Sequence, residues 1–116
     1  MYEMSYAEVM QFDVREARAR ERIAFDHAIE LMKRADAKDG DSANETVEAV
    51  QYVQKLWMFF IENLTRTDNE LSGDLKKDLI SIGLWAIAES DRVLAGQSKS
   101  FSPLIDVNAA IRDGLA

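Results

Sequence analysis

The chain has 116 residues, a formal net charge of −7 and no cysteine. This length predicts a single domain over residues 1–116 with enough chain to bury a core, and the missing cysteines exclude disulfides and thiolate chemistry. The acidic balance disfavours direct nucleic-acid binding, which needs a basic surface. Because no segment resembles a signal peptide or a membrane span, the sequence predicts a cytoplasmic protein with no membrane contact.

Helices are favoured from the N-terminus onward, since the chain has one proline and five glycines. Ser5 and Glu8 form a possible capping box that predicts a short N-terminal leader through Phe12. A second start signal at Asp13 predicts that the first helix runs over residues 14–38. Alanines recur along one seam of this helix, so a neighbouring helix can approach closely.

The second helix is predicted over residues 43–65 and the third over residues 75–95. Gly83 lies inside the third helix, where glycine costs about 1 kcal/mol relative to alanine. We expect another backbone or a large ring to approach it closely, with Trp57 and Trp85 as the candidates for the ring. Gly96 is placed where a left-handed C-terminal cap would end the helix.

The last helix is predicted from its own start and stop signals. Ser102 is the predicted N-cap, Pro103 occupies the first helical position and Gly114 ends the helix. Its apolar stripe consists of Leu104, Val107, Ile111 and Leu115. The whole pattern predicts an all-α fold, a small bundle of about four helices with a short N-terminal leader.

No motif in the sequence supports an enzyme. His27, the single histidine, stands beside Asp26, and two adjacent helical residues cannot both face one metal ion. The chain has no nucleophile paired with a base, no pair of carboxylates that stands out and no glycine-rich phosphate loop. The sequence therefore predicts no catalytic residues, no metal site and no cofactor.

Basic residues cluster on the first helix, and two interpretations remain open. Arg15, Arg18 and Arg22 share a face that could contact RNA phosphates. The favoured interpretation is a solvated face whose charges pair at helical spacing. The expected pairs are Glu16 with Arg20, Arg18 with Glu21, Arg22 with Asp26, and Glu30 with Lys33 or Arg34.

Large apolar residues crowd the second helix, where residues 56–60 read LWMFF. Such residues are usually core, but five in succession cover more than one face of a helix. Part of this surface could therefore serve a partner. The same holds for the Leu84–Trp85 pair.

Three C-terminal motifs carry a resemblance to a known family. They are SIGLW at 81–85, SPLIDVN at 102–108 and AIRDGL at 110–115. With them the chain resembles the FlaF family of flagellar biosynthesis proteins of alphaproteobacteria, and Tyr2, Tyr6 and the arginine-rich first helix fit less specifically. The resemblance implies a non-enzymatic role in flagellin production and export, alongside the FlbT regulator, which represses flagellin translation.

From this resemblance we expect a chaperone that holds a helix-forming segment of flagellin in an apolar groove. The residues expected to bind the partner are Trp57, Phe60, Leu84, Trp85, Ile105, Asn108, Ile111 and Arg112. Asn108 and Arg112 could equally be structural. The alternative is a post-transcriptional regulator that acts on flagellin mRNA or through an FlbT-type partner. The oligomeric state stays open.

Overall fold

The computed structural model describes residues 6–37, 42–67, 69 and 71–115. These residues form four helices and no strand: α1 Tyr6–Asp36, α2 Ser42–Leu64, α3 Gly73–Leu94 and α4 Ser102–Gly114. The predicted all-α bundle of four helices is confirmed. None of the described helices combines the length and hydropathy needed to cross a bilayer.

Helix α1 is longer than the sequence analysis predicts. It begins at Tyr6 and runs without a break to Asp36, so the predicted leader and first helix are continuous. No glycine or proline occurs between these residues to interrupt the backbone hydrogen bonds. Ser5 of the predicted capping box and Lys38, the predicted end, lie outside the described residues.

Helix α2 is the centre of the bundle. It packs against α1 on one side and α3 on another, while α4 packs mainly on α1. The buried positions of α2 follow helical spacing and are Ala49, Val50, Val53, Trp57, Phe60 and Leu64. Trp57, Phe60 and Phe25 of α1 meet edge to face, with ring centroids 5.4–5.6 Å apart.

Gly83 of α3 is where the sequence predicts a close contact with a ring. A Cβ atom at residue 83 would lie 2.7 Å from Cε3 of Trp57 and 2.8 Å from Cδ1 of Ile61. Glycine is therefore what allows α3 to approach α2 here. The prediction is confirmed, and Trp57 is the ring. Gly96 has a φ of 76°, as predicted for a left-handed cap after α3.

The start of α4 differs from the prediction. Ser102 is already inside the helix, the cap position belongs to Phe101, and no side chain caps the first turn. The N–H of Phe101 instead donates to both carboxylate oxygens of Asp36, at 3.0 Å each. The Ser102 prediction is wrong because the helix begins one residue earlier, after Phe101, which is held by this hydrogen bond and by its buried side chain. Pro103 does lie in the first turn, and Gly114 is the last helical residue.

Candidate functional site: an apolar groove between α3 and α4

A groove of about 500 Å³ runs between α3 and α4. The residues that line it come in equal numbers from the two helices and are Ser81, Ile82, Trp85, Val107, Ala110 and Ile111. On each helix they fall at the spacing of three and four residues that places side chains on one face. The two walls therefore follow directly from the helical periodicity of α3 and α4.

The lining is apolar except for the hydroxyl of Ser81. Ile82, Trp85, Val107 and Ile111 are half-buried, and Ser81 and Ala110 are exposed at the edge. Among the described residues, no charged side chain lines the groove. Such a surface can bury the apolar face of another helix.

Asn108 connects α4 to the centre of the bundle. The indole Nε1–H of Trp57 donates to its Oδ1 at 3.1 Å, and its own Nδ2 donates to the carbonyl oxygen of Leu104 at 2.7 Å. Asn108 and Trp57 are both fully buried. A hydrogen bond in such a dry position is costly to leave unmade, so it fixes α4 against α2.

The two ends of α4 are tied to α1. At the N-terminal end Asp36 accepts the Phe101 N–H. At the C-terminal end Nη1 of Arg112 donates to Oδ1 of Asp26 at 2.9 Å, and its Nε donates to Asp113 at 3.1 Å. These contacts dock α4 along α1 and leave its Val107 and Ile111 side chains toward α3.

Two of the predicted partner-binding residues line the groove, Trp85 and Ile111. Three others, Trp57, Phe60 and Asn108, are buried in the core. A partner could contact these three directly only if the helices around them moved apart. Their part in partner binding stays a prediction.

The remaining three predicted residues lie around the groove but do not line it. Leu84 is 59% exposed on α3, Ile105 is half-buried on α4 and Arg112 is held by two aspartates. Four of the lining residues are not among the partner-binding residues predicted from the sequence: Ser81, Ile82, Val107 and Ala110. Ile82 and Val107 are members of apolar stripes that the sequence shows, whereas Ser81 and Ala110 are small and carry no such signal.

A second exposed apolar surface lies on the α2–α3 pair. Met58 follows Gln54 by one turn, Leu84 precedes Asp91 by two turns, and Gln54 donates to Asp91 across the two helices. Met58 and Leu84 therefore share one side of the pair, and they are 62% and 59% exposed. Part of the apolar run in α2 is thus left at the surface.

The charged face of α1 carries two of the ion pairs that the favoured interpretation predicts. Arg20 pairs with Glu16 at 3.5 Å and Arg34 with Glu30 at 2.5 Å. Asp26, expected to pair with Arg22, accepts from Arg112 of α4 instead. Such exposed pairs add little stability.

Glu21 lies on the same helix and is partly covered. Its burial raises the pKa of the Glu21 carboxyl, an effect that the neighbouring Arg18 and Arg20 guanidinium groups reduce. The helix thus places two exposed arginines beside a carboxylate that is harder to ionise than usual.

His27 is exposed, and its ring packs edge to face on Tyr52 with centroids 4.7 Å apart. Burial raises the pKa of the Tyr52 phenol. The described part of the chain contains no group of three or more side chains able to hold a metal ion. The contact that the structure shows for His27 is thus the ring of Tyr52.

Fold and groove together define a small helical bundle with an apolar groove on one side. The model of the family described as "Flagellar protein FlaF" matches residues 2–115. Since this is nearly the whole sequence, the chain belongs to the FlaF family, and the resemblance carried by the C-terminal motifs is confirmed. Comparisons with curated proteins and with solved structures gave no match.

Proposed function

We propose that this chain binds flagellin in the cytosol as a chaperone, and that it promotes flagellin production and export. The observation that carries the proposal is the apolar groove between α3 and α4. Membership of a flagellar protein family supports the same direction. The ligand would be a segment of flagellin that forms an amphipathic helix.

The shape of the groove suits a helix better than an extended peptide. Its walls are two helices that present side chains at three- and four-residue spacing, and an incoming helix would present anchors at positions i, i+3 or i+4, and i+7. An extended peptide gains most of its affinity from backbone hydrogen bonds to a strand edge. The described residues form no strand, and the lining offers only one hydroxyl.

The apolar lining also explains how binding a flagellin segment in this groove would act as chaperoning. A segment that would otherwise self-associate through its apolar face is shielded when that face is buried in the groove. Half-buried Trp85 is the largest side chain of the lining. Tryptophan is typical of residues that dominate binding energy at interfaces.

The alternative function, regulation of flagellin synthesis through mRNA or an FlbT-type partner, would use a different surface. Direct RNA binding would use the face of Arg15, Arg18 and Arg22. Arg18 and Arg22 are exposed, and the Arg15 side chain lies outside the described part of the structure. A net charge of −7 opposes the approach of phosphates. The experiment below includes this alternative as an outcome.

The test measures the affinity of the purified chain for full-length flagellin by titration calorimetry. Ala110→Glu places a carboxylate at an exposed position of the groove wall, where helix formation tolerates it. The matched control is Ala88→Glu, the same substitution at an exposed alanine of α3 outside the groove. We expect Ala110→Glu to weaken binding by about tenfold or more, because a charge would be buried against apolar surface, while Ala88→Glu binds like the parent.

Two results would contradict the proposal. Equal affinity of the Ala110→Glu and Ala88→Glu variants for flagellin would exclude the groove as the binding site. Failure to bind flagellin, together with binding to the flagellin mRNA leader that persists at moderate salt, would favour the regulator instead. A gel shift with the parent chain supplies that second measurement.

A further inference from the structure

The indole of Trp57 touches both helices that form the groove. On one edge its Cε3 atom occupies the space that a side chain at Gly83 of α3 would need, with 2.7 Å to the position of a Cβ atom. On another edge its Nε1–H donates to Asn108 of α4 at 3.1 Å. One rigid ring from α2 therefore lies between α3 and α4.

Direct contacts between α3 and α4 are sparse by comparison. The two helices touch each other much less than α3 touches α2 or α4 touches α1. Within these two fully described helices, no hydrogen bond or ion pair joins one to the other. Their separation therefore depends on what lies between them and on how each is held to the rest of the bundle.

The ring itself has little freedom to move. Trp57 is fully buried and packs edge to face on Phe25 and Phe60. Asn108 is also fully buried, and its amide is fixed by the Leu104 carbonyl oxygen. If the hydrogen bond between the indole and the amide breaks, neither buried group can form a hydrogen bond with water instead.

We infer that Asn108 and the Trp57 indole act together as a spacer that sets the width of the α3–α4 groove. Gly83 fixes the ring against one wall, and Asn108 fixes the other wall against the ring. Asn108 is then a positioning residue, because it shapes the groove without lining it. The inference concerns the groove of the proposed function, but its test measures the groove alone, so either can fail without the other.

The absence of cysteine from the chain allows a direct measurement of the width. Ser81→Cys and Ala110→Cys place one spin label on each wall, both at exposed positions. Pulsed electron paramagnetic resonance then gives the distance distribution between the labels. Circular dichroism of the labelled parent verifies that the fold is retained.

The test variant is Asn108→Leu, which replaces the amide with an apolar side chain of similar size and removes the acceptor for the indole. We expect a broader distance distribution with a longer mean than in the labelled parent. Trp57→Phe removes the donor and part of the ring, and it should also broaden the distribution. It also replaces Asn108→Leu if that variant does not fold.

The Trp57→Phe/Asn108→Leu double variant separates spacing from stability. Because no buried polar group is left unpaired, its free energy of unfolding should recover relative to Asn108→Leu. The distance distribution should stay broad, since the spacer is still missing. If the bond served only to stabilise the fold, the double variant would restore both the free energy of unfolding and the distance distribution.

The control is Leu64→Ala at a buried position of α2, two turns beyond Trp57. It should lose stability through a cavity but keep the parental distance distribution. The inference is overturned if Asn108→Leu and Trp57→Phe both keep the parental distribution, or if the double variant restores it.

Discussion

Helix α3 meets α2 and α4 in different ways. Toward α2 it presents Gly83, and the side chains of Trp57 and Ile61 lie where a side chain at residue 83 would otherwise be. Gln54 of α2 also donates to Ser90 at 2.9 Å and to Asp91 at 2.7 Å. Toward α4 the same helix presents Ile82, Trp85 and Ser81, which leave a groove of about 500 Å³.

The difference shows how one helix can serve both the core and a surface. On the α2 side, Gly83 has no side chain to hold the helices apart, and the Gln54 amide donates to two residues of α3. On the α4 side the bulky residues are only half-buried, and no hydrogen bond or ion pair joins the described residues of α3 and α4. The groove is therefore the result of packing α4 on α1 while α3 packs on α2.

The largest expected effect comes from filling the closed interface with Gly83→Val. Its Cβ would collide with Trp57 and Ile61, at 2.7 and 2.8 Å. The end of the Ile61 side chain can turn away, but the indole is held by Asn108. We expect a loss of about 2–3 kcal/mol in the free energy of unfolding, measured by urea denaturation, because overpacking a dense core strains it.

The matched control for this variant is Ser81→Val, two residues earlier on the groove side of α3. Ser81 is exposed there, so a larger side chain meets open space and should change stability by less than about 0.5 kcal/mol. Equal losses in the two variants would mean that the α2 side of α3 is no more tightly packed than the groove side.

A smaller effect is expected for Gln54→Ala, which removes the polar link between α2 and α3. Its amide donates to Ser90 and Asp91, and Ser90 keeps its own bond to the Ile87 carbonyl oxygen at 2.7 Å. Since no buried group is left unpaired, we expect a loss of about 1 kcal/mol in the same measurement.

Gln51→Ala is the control for Gln54→Ala, since Gln51 is exposed on the same helix. It should be neutral or slightly stabilising, because alanine is the better helix former. If both substitutions change stability equally, the cross-helix hydrogen bonds contribute nothing, and the closed side depends on Gly83 alone.

Features that depend on local spacing could be predicted from the sequence. The four helices, the left-handed Gly96 and the close contact at Gly83 all follow from periodicity and from what glycine allows. The pairs of Glu16 with Arg20 and of Glu30 with Arg34 follow from four-residue spacing. Each of these signals lies within one helix.

Features that depend on which helices are neighbours could not be predicted. Asp36 accepts the N–H of Phe101, which is 65 residues away, and Asp26 binds Arg112 across 86 residues. Periodicity shows which face of a helix is apolar, but not the neighbour that covers it. For that reason the sequence predicts Trp57, Trp85 and Ile111 for one partner site, although Trp85 and Ile111 line the groove and Trp57 is buried in the core.

The smallest expected effect concerns Glu89, near the connection from α3 to α4. Its carboxylate accepts from Nε of Arg92 at 2.7 Å, and hydrogen bonds from Arg92 and Ser98 hold the pKa of Glu89 below its usual value. A carboxyl with a lowered folded-state pKa stabilises the fold fully above its unfolded pKa, and this contribution is lost as the pH falls through the folded pKa. Glu89→Gln should therefore cost stability at pH 7, and the difference from the parent should shrink as the pH falls below 4.5.

Urea denaturation at pH 7 and at successively lower pH measures this difference in the free energy of unfolding. Glu62→Gln, at an exposed position of α2, controls for the loss of one negative charge. A loss that stayed constant with pH would mean that the Glu89 side chain acts through packing, and that its charge does not help hold the connection that delivers α4 to its side of the groove.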